Sequence, residues 1–307
     1  MGMQPTILDI AVMNGSDMVT GLVEETIKAV PEIAVGAART IRGINYKTLV
    51  RTKLPTVAFR QANQGSATSK GTYENRLFET YLFNPYWVCD KAVAMMAEEG
   101  PAQFIAWEAQ GIMEAAWQYL GAQFYYGTGT GGDALGFPGL LAGYDAADMV
   151  VDAGGTTDST ASSAWLVRFG PRDITWVYGD NGQLALSPLR EQSFLDGSNN
   201  PYTAYVQEIL ARPGLQFTRK YAACRIKKLT ADSGKGLTDA LIATALSKFP
   251  VGLPPDYIFC TRRSLMQLQA SRTATNPTGA PAPIPDSSFG IPILPTDSIL
   301  NTETLAL

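Results

Sequence analysis

With 307 residues, the chain is long enough for one large or two ordinary domains. Its net charge of −4 argues against an obligate nucleic-acid binder, and the absence of histidine removes His-based triads, histidine general bases and imidazole metal ligands. Hydrophobic residues at 46% and charged residues at only 17% predict a packed core and a weakly charged surface, much of it meeting other protein.

Cys89, Cys224 and Cys260 are odd in number and far apart. That spacing suggests reduced thiols in a cytosolic setting and speaks against a structural zinc site. No run of about 18 apolar residues marks a membrane span. The first ten residues, MGMQPTILDI, lack the basic and apolar pattern of a signal peptide.

Residues 1–44 read as an arm with little core of its own, with Ser16 capping a short helix that carries Met18, Leu22 and Ile27 and ends near Pro31. A solvated N-terminus is the alternative. Residues 45–91 are β-rich, with INYKTLVRTKLPTVAFR and TYENRLFETYLFNPYWVCD flanking the polar QANQGSATSKG, which predicts a long hairpin. A hairpin of that length needs a surface to lie on. From Gly36 to Tyr73 there are seven basic residues and no acid, Arg51, Lys53, Arg60 and Lys70 among them; Asp90, Glu98, Glu99, Glu108 and Glu114 then face Lys91 alone. Opposite potentials of this kind favour docking, although two ordinary solvated faces would give the same counts.

Pro101 opens a predicted helix running to Tyr126, with Ile105, Ala109, Ile112, Ala116, Tyr119 and Gln123 in an amphipathic stripe. Its other face carries few charges, so burial on more than one side is expected. Gly127, Gly129, Gly131 and Gly132 then stop the helix. Residues 145–160 read as a linker. Strands follow at AWLVRFG, ITWVYG and QLALSPL, with one long closing strand in LQFTRKYAACRIKKLT and a short helix before it. LTDALIATALSKF predicts a helix with Leu241, Ala245 and Phe249 on one side. PDYIFCTRRSLMQLQASR predicts a strand and a helix capped by Thr261. A Pro- and Gly-rich loop and a short strand at IPILPTDSIL end the chain, and no internal repeat is visible.

Gly127 to Gly132 satisfies GxGxxG, but a dinucleotide site needs those glycines after a strand and opening a helix. Here they follow a helix, whose negative dipole end faces the loop. Asp232-Ser233-Gly234-Lys235-Gly236 lacks the first glycine and the following Ser or Thr of a phosphate loop, so it reads as a tight turn. No catalytic, cofactor or metal residues are assigned. A nucleotide-binding enzyme using the 127–132 loop is the remote alternative.

The basic hairpin before a long helix, the run FYYGTGTGGDALGFPGLL, and the later IFCTRRSLMQLQ and FGIPILPTDS resemble the major capsid proteins of tailed bacteriophages, whose Hong Kong 97-like fold is shared with encapsulin shells. The resemblance implies an α+β fold with an N-terminal arm (1–44), an extended hairpin loop (45–91), a peripheral domain (92–160 and 188–250) around a spine helix at 102–126, and an axial domain (161–187 and 251–307). The strand-rich segment 164–229 precedes the axial-type motifs, which suggests a permuted segment order with strand 215–229 flanking the helix. The implied function is a structural, non-enzymatic protein forming pentamers and hexamers of an icosahedral shell around phage DNA. The shell would be assembled in the bacterial cytoplasm, with scaffolding, portal and cement proteins as further partners, no sequence-specific DNA binding and no membrane. An encapsulin-type compartment is the alternative. In the shell, Arg51, Lys53, Arg60 and Lys70 would meet Glu98, Glu99 and Glu108 of a neighbour.

Overall fold

The computed structural model describes residues 4–14, 24–143, 147–180, 182, 186–276 and 280–306. In chain order the helices and strands are α1 (Ile7–Asn14), α2 (Pro31–Val35), β1 (Ala38–Thr40), β2 (Asn45–Lys53), β3 (Thr72–Glu79), β4 (Tyr86–Asp90), α3 (Lys91–Ala94), α4 (Pro101–Tyr126) and α5 (Leu140–Gly143). There follow β5 (Val150–Asp152), β6 (Ser162–Val167), β7 (Ile174–Tyr178), β8 (Arg190–Leu195), β9 (Pro201–Glu208), β10 (Pro213–Phe217), β11 (Ala223–Leu229) and α6 (Asp239–Ser247). The chain closes with β12 (Tyr257–Cys260), α7 (Arg262–Ala274), β13 (Ser287–Ser288) and β14 (Ile291–Pro295).

A six-stranded sheet in the order β13-β14-β12-β6-β11-β5 separates two cores. Side chains alternate across it, as the pleat requires. Ala164, Leu166, Cys224, Ile226, Ile258 and Cys260 turn to α6 and α7; Trp165, Val167, Ala223 and Phe259 turn to the end of α4. Every residue of β6 is buried, which explains why AWLV reads as an unbroken apolar run. Thr261 caps α7 through the Ser264 amide, as its sequence implies. The buried residues of α6 are Ile242 and Ala245, with Phe249 buried just beyond its end, whereas the expected Leu241 is only partly buried.

Several expectations are corrected. The strand-rich segment and the axial-type motifs share one sheet, because β6 pairs with both β11 and β12. β11 therefore lies in the sheet of the axial-type motifs, and α6 packs on the same sheet. The expected closing strand is two strands, broken by a turn in which the Ala222 amide donates to the Arg219 carbonyl. β10 pairs instead with β7, which also takes β1. Thus β7 leaves the 161–187 group, and the arm contributes a strand to the body. Leu215, Ala222 and Ala223 do pack with Leu120 and Phe124 of α4, whereas Cys224, Ile226 and Leu229 face the other core.

Residues 201–208, where a short helix is expected, form a strand between β4 and β8. The run Tyr202, Thr203, Tyr205 and Val206 favours the pleated surface over a helix. Within 145–160, β5 joins the edge of the large sheet. Pro31 opens a helix rather than closing one, because a proline suits the first turn and disfavours helix before it. Ser16, Met18 and Leu22 lie outside the described residues, as do Gln183, Leu184 and Ala185 of QLALSPL; of the rest, Leu186 makes a single bridge to Ile209 rather than a strand.

A buried ion pair ties the C-terminal segment to the body. Glu303 accepts from Arg225 (Nη2, 3.1 Å), Ser163 (Oγ, 2.6 Å) and Tyr126 (hydroxyl, 2.6 Å), and its backbone bridges Ala161. Both charged side chains are almost wholly buried. Removing one partner strands the other charge. Glu303→Ala is expected to cost about 3–5 kcal/mol in denaturant unfolding of the subunit, and adding Arg225→Met to recover most of it. A loss below about 1 kcal/mol, the level of an exposed pair, would contradict this.

Candidate assembly surfaces and the helix end

The helix α4 is buried all round only near its end. Leu120, Gly121 and Gln123 to Tyr126 are enclosed, whereas Phe104 and Ala116 are the buried residues before them. Burial on more than one side, expected for the whole helix, holds for the last two turns alone. Phe124 stacks on Trp176 at 5.2 Å and meets Tyr125 edge-on at 5.0 Å. Burying each such ring contributes about 1.5–3 kcal/mol.

Gln123 organises the chain just beyond the helix. Its carboxamide nitrogen donates to the carbonyls of Phe137 (2.8 Å) and Asp133 (3.1 Å), and its oxygen accepts from the Asp133 amide (2.8 Å). A lone glutamine in an apolar stripe is the sequence trace of this clamp. Gly127 ends the helix at φ 54°, ψ −124°, and a Cβ there would lie 1.9 Å from the Gly139 nitrogen. Only glycine permits that crossing. The loop 127–139 is therefore a chain reversal closed on its own backbone. The turn at 232–236 is likewise a tight one: the Lys235 amide donates to the Asp232 carbonyl.

The hairpin β2–β3 pairs from Asn45–Glu79 to Lys53–Thr72. It stops there: Tyr86–Asp90, expected within it, pairs with β9 instead. Tyr46 bonds Gln216, Phe78 packs edge-on to Phe217, and Arg76 donates to the Thr218 carbonyl (2.7 Å), fixing the base to the body. Arg51, Lys53, Arg60 and Lys70 are exposed. Arg51 covers the Tyr73 ring, and Arg60 donates to the Gln64 carbonyl within the tip. Glu98 and Glu99 are exposed beside Asn14 of α1, whose side chain accepts from the Glu98 amide. Glu108 is half-buried, its carboxyl pushed up by burial and then by Asp9. Among the described residues, none of these seven charged side chains forms an ion pair within the subunit. The structure brings the acids together around α1 and leaves the bases along the hairpin.

Sequence reading missed Glu32. It is fully buried in the arm, accepts from the Thr296 hydroxyl (3.0 Å), and sits against Gly121, where a Cβ would lie 2.8 Å from Oε1. The arm is pinned alongside: the Asp297 amide donates to the Ala29 carbonyl, and the Ala29 amide donates to the Asp297 carboxylate. Burial pushes the Glu32 carboxyl up to about 7, against hydrogen bonds that pull it down. Folding then takes up a proton between the ordinary carboxylate range and about 7, so this contribution is full below that range and is lost as pH rises through about 7. Glu32→Gln is expected to flatten the fall in melting temperature between mildly acidic and mildly alkaline pH, worth roughly 3 kcal/mol. An unchanged pH profile would contradict it.

Among the described residues, no helix is long and apolar enough to cross a membrane, and no three metal-ligating side chains cluster. No curated protein matches the chain significantly by sequence. Among solved structures, the chain is similar to one from bacteriophage Epsilon15, at 21% identity and TM-score 0.74 over 99% of this chain and 97% of that one. It is also similar to the capsid of the Myoviridae phage XM1, at 9% identity and TM-score 0.52 over 70% and 97%. An encapsulin from Synechococcus elongatus matches at 10% identity and TM-score 0.47 over 75% and 98%. The fold is the Hong Kong 97-like fold of tailed-phage capsid proteins. The family model of the major capsid protein GP7 matches residues 22–306, and the chain belongs to that family.

Proposed function

We propose that this major capsid protein assembles with copies of itself, as pentamers and hexamers, into an icosahedral shell around the DNA of a tailed bacteriophage. The match of the GP7 family over residues 22–306 carries the reading. The hairpin supports it, since residues 54–70 are exposed throughout and, among the described residues, its four bases named above have no acidic partner in their own subunit. In the shell, Arg51, Lys53, Arg60 and Lys70 face the Glu98 and Glu99 surface of a neighbour, with half-buried Glu108 behind it. Residues 45–79 act as the extended loop, α4 with β4, β9 and β8 as the peripheral unit, and the six-stranded sheet with α6 and α7 as the axial unit.

Assembly in the host cytoplasm, with scaffolding, portal and cement proteins as partners, belongs to the same proposal. Each exposed ion pair contributes only about 0.2–1 kcal/mol. A closed lattice repeats it many times, so modest contacts suffice.

Arg51→Glu together with Lys53→Glu is expected to lower shell yield in sedimentation, most at low salt, where screening is weakest. The subunit's melting temperature should stay unchanged, because both residues are exposed. Undiminished yield at low salt would remove the electrostatic contact.

A further inference from the structure

Among residues 24–44 of the arm, the one fully buried side chain is an acid, Glu32. Ile33 and Val35 of α2 are only partly covered against the core. Three buried oxygens near Gly121 have no hydrogen-bond partner: Glu32 Oε1, the Ser298 hydroxyl and the Tyr125 hydroxyl. A Cβ at Gly121 would lie 2.4 Å from Ser298 Oγ, 2.5 Å from Val30 Cγ1 and 2.8 Å from Glu32 Oε1. The space is filled by protein atoms, with no room for a counter-ion.

No base balances this carboxyl either. The titratable groups facing it are Asp297, from the segment after β14, and Tyr125, from α4; both oppose a negative charge on it. From β7 comes only the Trp176 indole, which donates to the Glu32 carbonyl at 3.3 Å. Among the described residues, no lysine or arginine forms an ion pair with Glu32. A buried carboxylate in this setting is strongly disfavoured, whereas the acid form can donate to the Ser298 hydroxyl beside it.

We propose that Glu32 is a proton-operated catch, whose acid form holds the arm on the body and whose ionisation releases residues 24–40 while both cores stay folded. The inference concerns the single subunit and does not rest on the shell reading. Release can be local because neither core takes a buried residue from the arm, and β7 stays paired with β10 when β1 leaves it. The closed arm holds the carboxyl at about 7, against the ordinary carboxylate range once it is free. Closing therefore takes up a proton between those values. The catch weakens about tenfold per pH unit across that window and levels off above it.

Hydrogen exchange of the purified chain, corrected for the intrinsic pH dependence of exchange, tests this. The junction amides are Ile41, bonded to Tyr178, Trp176, bonded to Ala37, and Asp297, bonded to Ala29. The reference amides are Arg168, bonded to Ala222, and Asp256, bonded to Val167 in the large sheet. Junction protection is expected to fall roughly 100-fold between about pH 5 and about pH 8. At the higher pH it should lie well below the reference amides and ignore low urea, since a local opening exposes little surface. Glu32→Gln should keep junction protection constant with pH. Junction and reference amides exchanging together at the higher pH, with the same urea dependence, would overturn the catch. So would constant junction protection in the wild-type chain, or an undiminished fall in Glu32→Gln. The wild-type readings decide the matter whether or not the variant folds.

Discussion

The last two turns of α4 are the point at which the chain's distant segments are held together. Gln123 fixes the reversal from Gly127 to Gly139, and Tyr126 reaches Glu303 near the C-terminus. Gly121 leaves the space that Glu32 of the arm occupies, and Phe124 stacks against Trp176 of β7. Three of these contacts are polar groups buried with partners, which specify an arrangement more sharply than apolar burial does. The hydrogen bonds cost little once made, whereas any partner removed leaves a stranded group.

That concentration of constraints at one end leaves the rest of the subunit free to face outward. The first four turns of α4 bury mainly Phe104 beneath α1, and the hairpin beyond Lys53 lies wholly in solvent. A rigid centre with an extended loop and a half-covered helix suits the proposed lattice role. The centre holds its shape while weak contacts at the periphery accumulate between copies.

The elements written by local chemistry are legible in the sequence. Thr261 announces α7, Pro101 and Gly127 bound α4, and the polar tip between two β-rich runs announces the hairpin. The elements decided by long-range pairing are not. Nothing local separates β10 from β11, whose turn uses ordinary residues and whose strands go to different sheets. The run at 201–208, which opens with Pro201, becomes a strand because β4 and β8 pair with it. The arm looks poor in core because its anchor is an acid, Glu32, and burial of an acid depends on partners far along the chain, such as Thr296. At the candidate surfaces, the charge blocks are legible.

The lattice role is tested most directly by electron microscopy of the purified protein. Closed shells of uniform diameter are expected, in which each hairpin crosses onto a neighbouring subunit. A population of monomers and small irregular oligomers, with no closed shells, would contradict it.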